Sequence, residues 1–310
     1  MDFNEFFEEW NSNKDYITVK TSGSTGIPKA INLNKNFVKE SALRTNTFFA
    51  LNCNSHLHSC VSADFIGGKM MAVRAFLCGG SFSHETPSNK PLTLYSPNDK
   101  LDLVAVVPSQ MLHIVENTNI LPKIRNIIIG GSAIHPSLRS KIADSGLNAY
   151  ETYGMTETAS HIALRKVTFE EHPFTTLPGI TVDTDSNECL NIKFRSGESI
   201  QTNDISEVIS PTQFLIKGRK DSVIISGGKK INPFELESKI SPFINQPFIV
   251  KGIEDEKWGK KLILIIEGSP VDNQYLKDAF KTILESWETP KQIFYTERLP
   301  RTSNGKIIRD

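Results

Sequence analysis

Thr21-Ser22-Gly23-Ser24-Thr25-Gly26-Ile27-Pro28-Lys29 stands between a β-branched run, Ile17-Thr18-Val19, and a helical stretch from Leu33 to Ala50. The segment gathers backbone amides, hydroxyls and one ammonium after a strand and before a helix. A polyphosphate site needs this: glycines let the backbone approach, amides and hydroxyls donate, and the lysine offsets charge. A polar linker would require neither the preceding strand nor the closing Pro-Lys. No Gly-Lys-Ser/Thr occurs in the chain, so the loop is not of the Walker A type.

Outward from this loop, short apolar runs alternate with helical stretches. Gly67 to Leu77 reads as a second helix, Leu103 to Val107 as a buried strand closed by Pro108, and Ile127 to Ile129 as another strand. Such alternation predicts a largely parallel sheet covered by helices. Beyond Pro178 the pattern turns strand-rich and hairpin-like (188–195, 207–209, 214–217), as in a mixed β-subdomain. From about Gly218 a new texture begins: a strand at Val223 to Ile225, a helix from Pro233, strands at 248–253 and 262–266, and a helix from Gln274 to Trp287. Asn232-Pro233-Phe234-Glu235 is a good helix start, with Asn at the N-cap and Pro at the first position. The expected fold class is α/β. A large layered α/β domain with a mixed β-subdomain spans 1–218, a boundary falls at 219–221, and a small α+β domain spans 222–310.

The 310 residues carry 35 basic and 35 acidic side chains, so no net field draws the chain to nucleic acid or an anionic membrane. Any anionic ligand must be met by locally placed cations. Cys53, Cys60, Cys78 and Cys189 lack Cys-x-x-Cys spacing, which favours reduced, mostly buried thiols in a cytoplasmic protein. The amino terminus is acidic and amphipathic rather than leader-like, and no apolar run approaches the roughly 18 residues of a membrane span.

Several other stretches can carry chemistry. Gly130-Gly131-Ser132-Ala133 ends one strand, and Glu151-Thr152-Tyr153-Gly154-Met155-Thr156-Glu157-Thr158 is read as a loop following the next. Open α/β sheets hold ligands in such loops. A tyrosine there can stack on a purine, a threonine can reach a phosphate, and Glu157 offers a hard oxygen to Mg²⁺. Asp204 and Arg219 could hydrogen-bond a ribose diol between them, although a surface ion pair is the commoner use of such residues. Read alone, Pro300 to Arg309 is a solvated tail with one lysine, Lys306. His56-Leu57-His58 could bind a metal, but alternate positions on a half-exposed strand are the simpler account.

Together these segments resemble the adenylate-forming superfamily of acyl-CoA synthetases, nonribosomal adenylation domains and luciferases. Thr21–Lys29, Tyr153–Glu157, Asp204, Gly218–Glu237 and Pro300–Arg309 recur in the family's order, from about residue 17 to the end. Only 20 residues precede the loop, so a shortened amino-terminal region is expected. The resemblance implies ATP, Mg²⁺ and coenzyme A as co-substrates and cofactors, with a small carboxylic acid as substrate. Thr21, Ser22, Gly23, Ser24, Thr25, Gly26 and Lys29 would embrace the β- and γ-phosphates. Ser132, Glu151 and Tyr153 would line the adenine pocket, Thr156 would contact the α-phosphate, and Glu157 would bind the metal. Asp204 and Arg219 would hold the ribose. Lys306 would bridge the substrate carboxylate and the α-phosphate. Asp221 would be the hinge of a mobile small domain, whose face around Gly227, Gly228 and Lys229 would serve the coenzyme A half-reaction.

The run Phe65 to Leu77 corresponds to the family's acyl-pocket helix. Arg74 lies there among apolar residues, where an unpaired guanidinium is costly, so an anionic partner is expected: a nearby carboxylate of the protein, or a second carboxylate of the substrate. In its Arg74 and its Tyr153 to Ser160 segment the chain looks like the o-succinylbenzoate–CoA ligases of menaquinone synthesis. That likeness implies that Arg74, with Lys69, neutralises the unreacted carboxylate, that Phe65 forms an aromatic wall, and that His161 lines the pocket. Another aryl- or acyl-CoA ligase, a free-standing adenylation domain and a non-catalytic acyl-adenylate binder are the alternatives. The oligomeric state is open, a homodimer being one arrangement.

Overall fold

A computed structural model describes residues 2–20, 29–301 and 307–309. The described chain divides into two compact units, one made of residues 2–181 and 194–200, the other of 182–193, 201–301 and 307–309.

The first unit opens with helix α1 (Phe3–Asn11), closed at its start by a capping box between Asp2 and Glu5. Strands β1 (Tyr16–Lys20) and β2 (Ala30–Asn34) pair antiparallel, and their ends Lys20 and Ala30 bracket residues 21–29. Strand β2 takes the first residues of the helix expected from Leu33. Asn34 then caps α2 (Lys35–Phe48) by accepting from the amides of Asn36 and Phe37, which sets the helix start two residues later. The main sheet follows from β3 (His56–Ser59), β4 (Ser81–His84), β6 (Leu103–Val106), β8 (Ile127–Ile129), β9 (Ala149–Met155), β10 (Ser160–Lys166) and β11 (Phe174–Thr176). Within this unit its order is β11-β10-β9-β8-β6-β3-β4, parallel from β9 to β4 and antiparallel at β10 and β11. The short strands β5 (Lys100–Leu101) and β7 (Lys123–Ile124) form a separate parallel ladder.

Helices α3 (Ile66–Cys78), α4 (Pro108–Glu116) and α5 (Pro136–Asp144) connect these strands. Val104, Val106, Ile127, Ile129 and Ala149 alternate along β6, β8 and β9, and so share a core with Met111 and Ile114 of α4 and Ile142 of α5. A second core joins Phe6 and Trp10 of α1, Val38 and Ala42 of α2, and Met70 and Val73 of α3. α3 is buried without a break from Gly68 to Ala75, and that stretch includes the charged side chains of Lys69 and Arg74.

The second unit contains most of β12 (Ile180–Thr184), β13 (Cys189–Phe194) and β14 (Ser199–Ser210), together with β15 (Gln213–Arg219). A hairpin of β16 (Ile224–Ser226) and β17 (Lys229–Ile231) follows, then α6 (Pro233–Ile240), β18 (Phe248–Asp255), β19 (Gly259–Glu267), α7 (Asn273–Ile283) and β20 (Gln292–Thr296). β18 and β19 pair antiparallel, while β19 and β20 pair parallel. Leu236 and Ile240 of α6 and Leu276 and Phe280 of α7 pack over that sheet. The helix expected to reach Trp287 stops at Ile283, because Leu284 turns extended to bury its side chain in this core. Arg309 forms a forked pair with Glu237, at 2.6 and 2.7 Å, and Arg301 meets Glu267 at 2.6 Å. Both flanks of residues 302–306 are thereby fastened to this unit.

Candidate active site

The segment expected as a loop at Glu151 to Thr158 is strand β9 as far as Met155, because β10 pairs with it from Met155 back to Tyr150. The turn itself is only Thr156 to Ala159. Its tightness is visible at Gly154, where an added Cβ would lie 2.3 Å from the Ser160 carbonyl oxygen. Ala159 and Ser160 both adopt left-handed backbone, φ 50° and 87°, an uncommon state for residues with side chains. Such conformations cost of order 1–3 kcal/mol each and cluster at functional sites. Thr158 locks the turn, its hydroxyl donating to the Ser160 carbonyl at 2.6 Å and accepting from the Met155 amide at 2.9 Å. Thr156 is half-buried, and Glu157 presents an exposed carboxylate.

Glu151 is buried, and its carboxylate is fully engaged by protein. It accepts from the Ile134 amide at 3.1 Å, from Arg139 at 2.7 Å and from Arg165 at 2.8 Å. Glu151 therefore anchors the segment that carries Ser132, which is half-buried just before Ile134. The Tyr153 ring leans on Phe174 at 5.8 Å, and the Arg165 guanidinium lies over the Phe174 ring, 4.2 Å from its centroid.

Phe65 is the N-cap of α3, and two turns further on Arg74 is completely buried. Among the described residues no carboxylate pairs with it. Its guanidinium reaches only the Met71 sulfur at 3.6 Å, the Ser160 hydroxyl at 3.3 Å and His161 Nδ1 at 3.5 Å, and its Nε has no hydrogen-bond partner. Burial alone lowers its pKa to about 9. Because Arg74 can only donate, His161 must accept through Nδ1 and carry its proton on Nε2, which lies 3.0 Å from the Thr45 hydroxyl. Burial, and then the neighbouring Arg74, push His161 well below the ordinary imidazole range. Lys69 is also buried, but its ammonium sits 3.6 Å from Glu9 and 4.7 Å from the Phe6 ring centroid. Helix α1 thus supplies two of the contacts of Lys69.

The neutral His161 gives the protein an acid-side weakness. In the unfolded chain an imidazole takes up a proton below about pH 6.5, whereas in the fold His161 resists it to much lower pH. The unfolded state then binds more protons, so stability falls as pH drops below about 6.5, at roughly 1.4 kcal/mol per pH unit while the gap lasts. We expect the melting temperature to fall from pH 7.5 to 5.5. It should fall less in His161→Asn than in the parent, and equal slopes would remove His161 from the account.

In the second unit Asp204 and Arg219 lie inside β14 and β15 as direct cross-strand partners. Arg219 Nη1 donates to Asp204 at 3.1 Å, and its Nε and Nη2 grip Asp221 at 2.9 and 2.6 Å. The Arg219 hydrogen bonds hold the Asp221 carboxyl below the usual carboxylate range. Gly227 and Gly228 form the two-residue turn of the β16–β17 hairpin, both at positive φ (54° and 78°), and Lys229 lies over the Trp287 ring at 5.9 Å. Thr21, Ser22, Gly23, Ser24, Thr25, Gly26 and Lys306 lie outside the described residues; Lys29 is exposed. Thr45, Glu9, Arg139 and Arg165 escaped the sequence reading, since their partners stand far away in the chain and no local spacing marks them.

The AMP-binding enzyme family model matches residues 8–187, more than half of the chain. An acyl-CoA synthetase (AMP-forming)/AMP-acid ligase II-like protein of Dyadobacter fermentans is 30% identical and superposes with a TM-score of 0.64, over 98% of this chain and 90% of that one. The chain therefore belongs to the AMP-binding enzyme family, and the expected class, an AMP-forming ligase on an α/β fold, is borne out. Among its relatives is the 2-succinylbenzoate–CoA ligase of Listeria innocua, 25% identical over 97% of this chain and 70% of the relative. The ligase of the same name from Bacillus subtilis is 24% identical over 94% and 67%. A solved o-succinylbenzoate CoA synthetase of Bacillus subtilis, 21% identical, shares the fold with a TM-score of 0.79, over 94% of this chain and 67% of that one. No helix among the described residues is long and apolar enough to cross a membrane.

Proposed function

We propose that this chain activates a small aromatic dicarboxylic acid, o-succinylbenzoate, and transfers its succinyl-side acyl group to coenzyme A. The observation that carries the reading is Arg74: a completely buried guanidinium that has no carboxylate among the described residues. An uncompensated buried charge costs several kcal/mol, so the site is built for an anion that arrives from outside. The relatives' names supply a substrate with a carboxylate to spare.

In the first half-reaction the succinyl carboxylate oxygen bonds to the α-phosphorus of ATP and pyrophosphate leaves. In the second, the coenzyme A thiolate attacks the acyl carbon and AMP leaves. Two anions must meet, so charge cancellation is the main catalytic task. Lys306 is assigned to bridge the carboxylate and α-phosphate, and Thr21–Gly26 with Lys29 to hold the outer phosphates. Thr156 is assigned to the α-phosphate, Ser132 and Tyr153 to the adenine, with Glu151 positioning the Ser132 segment. Mg²⁺, when bound, neutralises phosphate charge; the exposed carboxylate of Glu157 fits a hard cation. Asp204 and Arg219 are assigned to the ribose, Asp221 to the hinge, and Gly227, Gly228 and Lys229 to the thiol-transfer step, all in the cytoplasm.

Acid-dependent exchange of pyrophosphate into ATP tests the reading. Exchange with o-succinylbenzoate that exceeds that with benzoate or fatty acids is the expected outcome. Exchange with none of them, or a preference for a monocarboxylate, would overturn it.

A further inference from the structure

Three side chains that the proposed reaction does not use converge inside the first unit. His58 and Cys60 alternate at the end of β3 and so point to one side, and Glu85 follows β4, its amide donating to the Ser59 carbonyl at 3.3 Å. A ligand atom from each lies within 4.8 Å of the other two. Of the pair His56 and His58, expected on a half-exposed strand or loop, His56 is half-buried but His58 is only 1% exposed; Cys60 is fully buried and the Glu85 side chain is 8% exposed.

Each of the three is held from behind. His58 Nδ1 lies 2.9 Å from the Ser83 hydroxyl and 2.9 Å from the Tyr95 hydroxyl, and Tyr95 stands edge-on to the imidazole at 5.0 Å. That fixes the ring and leaves Nε2 buried with no hydrogen-bond partner, 3.9 Å from the Glu85 carboxylate. The backbone of Cys60 is tied on both sides, its amide to Ala105 at 3.1 Å and its carbonyl to Gln110 at 3.0 Å. Glu85 accepts from the Leu92 amide at 3.0 Å. A fixed imidazole with its second nitrogen engaged is the usual support of a metal-ligating histidine. Nitrogen, sulfur and oxygen donors together suit a borderline-soft divalent ion, zinc above all. The charges also close: a thiolate and a carboxylate against one divalent cation sum to zero, which a buried cluster requires.

We propose that His58, Cys60 and Glu85 form a zinc site that fastens the end of β3 to the segment after β4, with one tetrahedral position left for water. On binding, the Cys60 thiol gives its proton to solvent and the sulfur bonds to the ion. The turn after Cys60 is the seat of α3, since a Cβ on Gly68 would lie 2.3 Å from the Ser62 carbonyl oxygen. The ion thus stiffens the support of the helix that carries Arg74.

Tag-free full-length protein, stripped with a chelator, is titrated with Co²⁺ and then Zn²⁺. The expected result is a near-ultraviolet thiolate-to-cobalt band that saturates at about one equivalent and is displaced by zinc. The band should be lost in Cys60→Ser, kept in Cys53→Ser, and weakened roughly tenfold or more in apparent affinity in Glu85→Gln. Zinc should also raise the melting temperature of the stripped parent. No band in the folded parent, a band that survives Cys60→Ser, or a melting temperature indifferent to zinc would return the cluster to a set of buried hydrogen bonds.

Discussion

Lys306→Ala should cripple adenylation while leaving thioester formation from a supplied acyl-adenylate nearly intact. The expected loss is about 10²- to 10³-fold in acid-dependent exchange, the effect of removing one preorganised group that meets developing charge in the transition state. Thiol attack proceeds after pyrophosphate has left, so an ammonium assigned to the carboxylate and α-phosphate has no task in it. The substitution should be structurally quiet. The flanks of residues 302–306 are anchored by the Arg301–Glu267 and Arg309–Glu237 pairs, and neither involves Lys306. Stopped-flow measurement of each half-reaction checks the assignment, and equal losses in both would contradict it.

Arg74→Met should separate recognition from stability. Removing a charge proposed to meet the substrate carboxylate in a buried pocket costs about 3–5 kcal/mol, or roughly 10²- to 4 × 10³-fold in kcat/KM for o-succinylbenzoate. Benzoate, with no second carboxylate, should lose far less. The unliganded variant should melt at a higher temperature than the parent, because an apolar side chain of similar length replaces a buried guanidinium whose Nε bonds to nothing. A lower melting temperature together with equal losses for both acids would make Arg74 a structural cation.

Much of this is legible in the sequence. The buried strands at Leu103 and Ile127, the α3 helix and the Asn232 cap announced themselves through local period and capping chemistry, which depend on near neighbours. Asp204 and Arg219 stand 15 positions apart in the sequence, and the fold sets them directly across a ladder. What could not be read were the pairings that only a folded chain creates. Glu151 was taken as a lining residue, yet two arginines 12 positions before it and 14 after it occupy its carboxylate. Lys69 is claimed by Glu9, 60 positions away, and His161 by Thr45, 116 positions away. The burial of His58 is not legible either, because alternation along one strand says nothing about what covers it.

The left-handed backbone at Ser160 has a wider consequence. A glycine would adopt φ 87° without strain and would remove an awkward residue from the β9–β10 turn. It would also remove the hydroxyl that lies 3.3 Å from Arg74, one of three groups among the described residues that receive that guanidinium. Under the substrate role proposed for Arg74, foldability and substrate choice therefore pull in opposite directions at a single position. A consensus-style stabilisation of this turn would yield a sturdier enzyme with a blunter sense of what it binds.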